Sequence, residues 1–141
     1  MPARLMKPFV TVAALLLSMV SLVTSDTFSE KTVSEIETDL KSRERELDSL
    51  ISLIRTRYSA DKRFCAKLEE AQRAWCRYRD LQIEMKFPEA DKKYAYGSLY
   101  PMCLTLELIR LYTRRIEELM PWASGIADGE VCPGSVLIER Q

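Results

Sequence analysis

The residues best placed to do chemistry lie in one run, Ala71-Gln72-Arg73-Ala74-Trp75-Cys76-Arg77-Tyr78-Arg79-Asp80. Arg73, Arg77 and Arg79 could form a basic rim for an anionic partner. The structural reading of the same run buries Trp75 and Tyr78 in a helix seam and pairs Arg77 with Asp80 at i,i+3 on the surface. Catalysis has little to work with. The chain holds no histidine, the commonest general base near neutral pH. It has no Gly-x-Ser-x-Gly elbow, and its four glycines form no phosphate-cradling loop. The carboxylate pairs Glu69-Glu70 and Glu117-Glu118 are adjacent on helices, so their side chains point ~100° apart and cannot face one substrate. No enzyme, catalytic residue or cofactor is expected.

Four cysteines, Cys65, Cys76, Cys103 and Cys132, are the other reactive groups. Without histidine or a Cys-x-x-Cys pair they do not suggest zinc, and no metal site is expected. An even number in a short exported chain reads as two disulfides. Export is read from the first 25 residues. Arg4 and Lys7 give a basic start, Phe9 to Val23 are largely apolar, and Val23-Thr24-Ser25 suits a signal peptidase. Residues 1–25 are therefore expected to be a cleaved signal peptide. The apolar stretch, interrupted by Thr11, Ser18 and Ser21, falls short of the ~20 residues that cross a bilayer. With the first cysteine at Cys65, no lipid anchor on a new N-terminal cysteine is expected. The mature chain would run from Asp26 to Gln141 as one domain, periplasmic or secreted, with no membrane span. Removing Arg4 and Lys7 leaves 19 basic residues against 21 acidic, a net charge of −2. Nucleic acid wants a basic face, so it is not an expected partner.

The elements that must position these groups are helices. From Val33 to Met85, apolar residues recur every seven positions. One column holds Val33, Leu40, Leu47, Ile54, Leu68 and Trp75; the other holds Ile36, Leu50, Phe64, Ala71, Tyr78 and Met85. Spacings of three and four put both columns on one helix face. Thr32 with Glu35, or Ser34 with Glu37, has capping-box spacing at the start. A single helix of ~80 Å is formally possible. Arg57 and Asp61 nevertheless put charge into the seam around Ser59-Ala60, and a buried unpaired charge is costly. Two helices, Val33 to Tyr58 and Asp61 to Phe87, account for the lapse. Pro88 to Gly97 reads as a polar loop, and Ser98 as the N-cap of a third helix with Pro101 in its first turn. That helix is expected to stop at Pro121, leaving Trp122 to Gln141 as an irregular tail anchored by Cys132. The expected fold is all-α: a three-helix antiparallel bundle with a disulfide-anchored C-terminal tail.

Cys65 and Cys76, eleven residues apart on one helix, are separated by ~16 Å, well beyond the ~6 Å between bridged Cα atoms. Two pairings remain. Nested links Cys76–Cys103 and Cys65–Cys132 suit an antiparallel hairpin of the second and third helices. The alternative joins Cys65 to Cys103 and Cys76 to Cys132.

The sequence also resembles a known family. Leu68, Ala71, Gln72, Arg73, Ala74, Trp75, Tyr78, Arg79 and Asp80, followed by Gly97-Ser98 and then Thr113-Arg114-Arg115 with Leu119, are similar to the LprI-type lysozyme-inhibitor N-terminal domain. The resemblance covers about residues 47–120. It implies a small exported bacterial domain that binds a protein, lysozyme being the named target. The family's usual cysteine after the Arg-Asp pair is Ile83 here, and its Leu-Asn pair is Leu47-Asp48. A lysozyme inhibitor must fill a cleft built for sugar rings and meet acidic catalytic groups. In the loop Pro88 to Ser98, Tyr94 and Tyr96 could lie where sugars stack, and Lys92 and Lys93 could meet carboxylates. The plainer reading of that loop is a polar connector. A reading of a different class is an envelope assembly protein whose long first helix pairs with another helix.

Overall fold

The computed structural model describes residues 33–139, all within the compact unit Lys31–Gln141. The expected signal peptide, the mature start at Asp26 and Thr32 of the capping box lie outside the described residues. The described chain is all-α apart from one short strand pair. Its helices are α1 (Val33–Arg57), α2 (Lys62–Lys86), α3 (Lys92–Tyr96) and α4 (Tyr100–Ser124). The strands β1 (Ile126–Ala127) and β2 (Ile138–Glu139) pair in parallel.

The heptad pattern does break into two helices where charge enters it. Asp61 is the N-cap of α2, its side chain accepting from the Phe64 N–H at 2.9 Å. A charge that would be costly inside a seam thus satisfies a free amide at a helix start. Tyr58 and Phe64 stack at 4.2 Å across the turn. Arg57 donates to the Ala123 carbonyl at the end of α4, 2.8 Å away.

Three boundaries differ from expectation. The loop between α2 and α4 contains α3, capped by Asp91 through the Tyr94 N–H and closed by Gly97 at φ 70°. Ser98 is not a cap: α4 starts at Tyr100 with Leu99 before it and no side-chain cap bond, although Pro101 sits in the first turn as expected. Pro121 does not end α4, which continues to Ser124 and stops at Gly125, φ 79°. Proline near the last turn removes only one donor, and the extra turn packs Trp122 and Ala123 against the core. Gly125 supplies the left-handed backbone that closes it.

The core is built by Leu47, Leu50 and Ile54 of α1, Leu68 and Trp75 of α2, and Tyr112, Ile116 and Leu119 of α4, with Tyr58 at the turn. The most extensive helix contact is between α1 and α4. Gln72 meets Arg115 and Lys86 meets Glu107, so α2 runs antiparallel to α4. Only part of the expected seam is buried. Val33, Ala71, Tyr78 and Met85 are exposed, Met85 at 68 %. The seven-residue repeat therefore drifts from the buried stripe along α2, as a straight helix of 3.6 residues per turn requires.

All four cysteines are free thiols in this structure. The expected Cys76–Cys103 link fails on register. Cys76 lies ten residues before Lys86 and Cys103 four residues before Glu107, in opposite directions along the antiparallel pair. That pairing separates the two by roughly 20 Å of helix rise and the Gln72–Arg115 pairing by roughly 12 Å, against ~6 Å for a disulfide. Cys76 stands in the middle of α2, whereas Cys103 lies in the first turn of α4. The tail carrying Cys132 does return to the end where Cys65 sits. Tyr58 Oη accepts from the Leu137 N–H at 3.1 Å, and Trp122 Nε1 donates to Ser135 Oγ at 3.0 Å. The Cys65 thiol itself faces the Tyr58 carbonyl at 3.3 Å, and the expected bond to Cys132 is not formed.

Candidate functional site

The arginine-rich run divides into a part that holds the fold and a part that faces solvent. Trp75 is buried, and its ring meets Tyr112 edge-on at 5.4 Å. The Arg79 guanidinium lies 5.6 Å from the centroids of both rings, and Arg115 approaches Trp75 at 5.9 Å. Each arginine is fixed in turn. Arg79 donates to Asp80 at 2.7 and 2.9 Å and to Tyr112 Oη at 2.7 Å. Arg115 donates to Gln72 Oε1 at 3.2 Å and pairs with Glu118. Gln72, Trp75 and Arg79 stand three and four residues apart, so one face of α2 delivers all three to α4. Burial works to lower the Arg79 pKa, but the hydrogen bond to Asp80 and the Asp80 charge help to outweigh it and raise it. Burial likewise raises the Tyr112 hydroxyl, which stays neutral and accepts from Arg79.

The expected rim of three arginines therefore does not assemble. Arg79 is committed to the α2–α4 contact. Arg73 and Arg77 are exposed, and four-residue spacing puts them on a face that Arg79 does not share. Arg73 borders a shallow groove between α1 and α2 with Arg55, Glu69 and Cys76. Leu68 is buried as the seam reading expects, whereas Ala71 and Tyr78 are exposed. Gly97 closes α3, and Ser98 is exposed beside it.

The lysine–tyrosine group also divides in two. Lys92 Nζ donates to the Phe87 carbonyl and ties α3 to the end of α2. Tyr96 meets Phe87 edge-on at 5.3 Å, stacks on Tyr100 at 5.8 Å, and accepts from the Glu89 N–H at 3.2 Å. These two residues brace the loop. Lys93 and Tyr94 project from it, Tyr94 with 90 % of its surface exposed. An aromatic ring and an ammonium are thus presented together on a short, braced helix. The ring can cover apolar or sugar-binding surface, and the ammonium can meet a carboxylate.

A group that the sequence did not single out is Glu107, 7 % exposed in the first third of α4. Lys86 Nζ lies 2.6 Å from one carboxylate oxygen, and Arg110 bonds the other. The Arg110 hydrogen bond does most to lower its pKa, burial opposes, and Lys86 adds to the lowering, leaving it at about 2. The i,i+3 spacing to Arg110 was a visible signal; the meeting with Lys86 needed the register of two helices.

Among the described residues no group of three or more histidine, cysteine or acidic side chains is arranged to hold a metal ion. No described helix is long and apolar enough to cross a membrane. Residues 25–119 match the family model described as lysozyme inhibitor LprI. No curated protein and no solved structure matches the chain. The match takes in α1, α2, α3 and α4 as far as Leu119 and leaves the tail outside. With most of its length inside that match, the chain belongs to the LprI lysozyme inhibitor family.

Proposed function

We propose that this protein is exported to the periplasm or the exterior, and there binds lysozyme by presenting Tyr94 and Lys93 to the substrate cleft. The observation that carries the reading is Tyr94, exposed over 90 % of its surface on a helix braced by Phe87, Tyr96 and Tyr100. Binding energy concentrates in a few residues, and a rigid aromatic anchor loses little conformational freedom on docking. Lys93 beside it would face the carboxylates that glycoside hydrolysis requires. Lys92 and Tyr96 support this arrangement from behind and do not touch the target. Membership of an inhibitor family supports action by binding and not by catalysis.

The assembly reading through the first helix draws no support from α1, whose seam residues Leu47, Leu50 and Ile54 are already buried in the core. The test is lysis of a cell-wall suspension by lysozyme with increasing amounts of the purified protein. The wild type should slow lysis. Tyr94→Ala should weaken inhibition by ~30-fold, the scale of a ~2 kcal/mol hot spot, Lys93→Glu should also weaken it, and Arg73→Glu should have little effect. No inhibition by the wild type defeats the function; equal inhibition by Tyr94→Ala defeats the site.

A further inference from the structure

Ala71, Ala74, Tyr78, Leu81 and Met85 follow one another along α2 at alternating spacings of three and four, and every one is exposed. Tyr78, Leu81 and Met85 expose 48, 50 and 68 % of their surfaces. That alternation is the a/d pattern of a helix that meets another helix. It is distinct from the stripe through Leu68 and Trp75 that α2 buries in its own core. So α2 carries two seams, and one of them has no partner among the described residues.

We propose that the second seam pairs with the same seam of a second copy of this chain, antiparallel, about a two-fold axis close to Asp80 and Leu81. The flanking charges select this occupant. Arg77 and Glu84 are seven residues apart, so they hold the same heptad position on one side of the seam. Both are exposed, and neither forms an ion pair with another described residue. In an antiparallel pair, flanking positions of the same type face each other across the seam. A two-fold axis midway between Arg77 and Glu84 sets Arg77 of each copy against Glu84 of the other. The surface is therefore complementary to itself. An anionic bilayer or an acidic helix would suit Arg77 but oppose Glu84. This pairing does not depend on lysozyme binding and leaves Tyr94 free.

The test is the mass of the purified protein by light scattering after gel filtration, in reductant so that no cysteine can join two copies. The wild type should have the mass of a dimer. Leu81→Glu should give a monomer with unchanged helix content by circular dichroism, since Leu81 is half exposed. Arg77→Glu alone and Glu84→Arg alone should each abolish the dimer by setting like charges together, and the double exchange should restore it. A monomeric wild type overturns the proposal, as does a dimer that survives Leu81→Glu. Failure of the double exchange to restore the dimer overturns the antiparallel arrangement. Binding of a monomeric wild type to anionic vesicles would assign the seam to lipid instead and also overturn it.

Discussion

Lys86, in the last turn of α2, and Glu107, in the first third of α4, meet at 2.6 Å across the two helices. Glu107 is the only buried charged side chain among the described residues of the core, and its second oxygen is held by Arg110. This places a charge-assisted clamp near the loop end of the α2–α4 pair.

The clamp should make stability depend on acid. The folded Glu107 carboxyl is lowered from 4.5 to about 2, so its contribution is complete above the unfolded value and disappears as pH falls toward 2. Because Lys86 and Arg110 are half exposed, screening leaves about 1–2 kcal/mol of the effect. Urea midpoints measured from pH 6 down to pH 2 should fall over that window. Glu107→Gln should start lower and lose less with acid.

Trp75 should be the costliest single truncation of α2. Trp75→Ala removes the ring that Arg79 and Arg115 both approach and leaves a cavity against Tyr112, at a cost of ~3–5 kcal/mol. A thermal melt within a degree or two of the wild type would mean that the ring is not central to the core.

The tail should depend on one hydroxyl. Tyr58→Phe keeps the stack on Phe64 but removes the acceptor for the Leu137 N–H. Loss of that bond should cost ~1 kcal/mol locally. Hydrogen exchange at residues 126–139 should accelerate, with little change in α1 and α4. Uniform acceleration along the chain would show that the tail and the helices open together.

The cysteines offer a test of register. In protein recovered from an oxidising compartment we expect Cys65 linked to Cys132, since the tail returns to the α1–α2 turn. Peptide mapping without reductant would show it. A Cys76–Cys103 link would require α4 to slide by roughly 10–20 Å along α2, and finding it would refute the Gln72–Arg115 and Lys86–Glu107 pairings.

The helices and the break at Asp61 were legible because both depend on local pattern: apolar spacing, then charge in the seam. The second seam of α2 was not. Ala71, Tyr78 and Met85 keep step with the heptad, and a one-dimensional count cannot say at which residue a straight helix rotates that column out of the core. Lys92 and Lys93, adjacent and chemically alike, were indistinguishable until α3 turned one toward Phe87 and the other to solvent. The family motif was visible as residues but not as a structure, because its partners Tyr112 and Arg115 come from a helix some forty positions later.

The chain has two tryptophans, one inside the core and one at its edge. Trp75 has two guanidinium groups near its ring in the helical core, whereas Trp122 reaches through its indole N–H to Ser135 of the tail. Each is thus a natural optical probe of one region. Emission from a Trp122→Phe variant would follow the Trp75 region, and emission from a Trp75→Phe variant would follow the edge of the core where the tail meets it. Local loosening and global unfolding could then be timed separately with no added label.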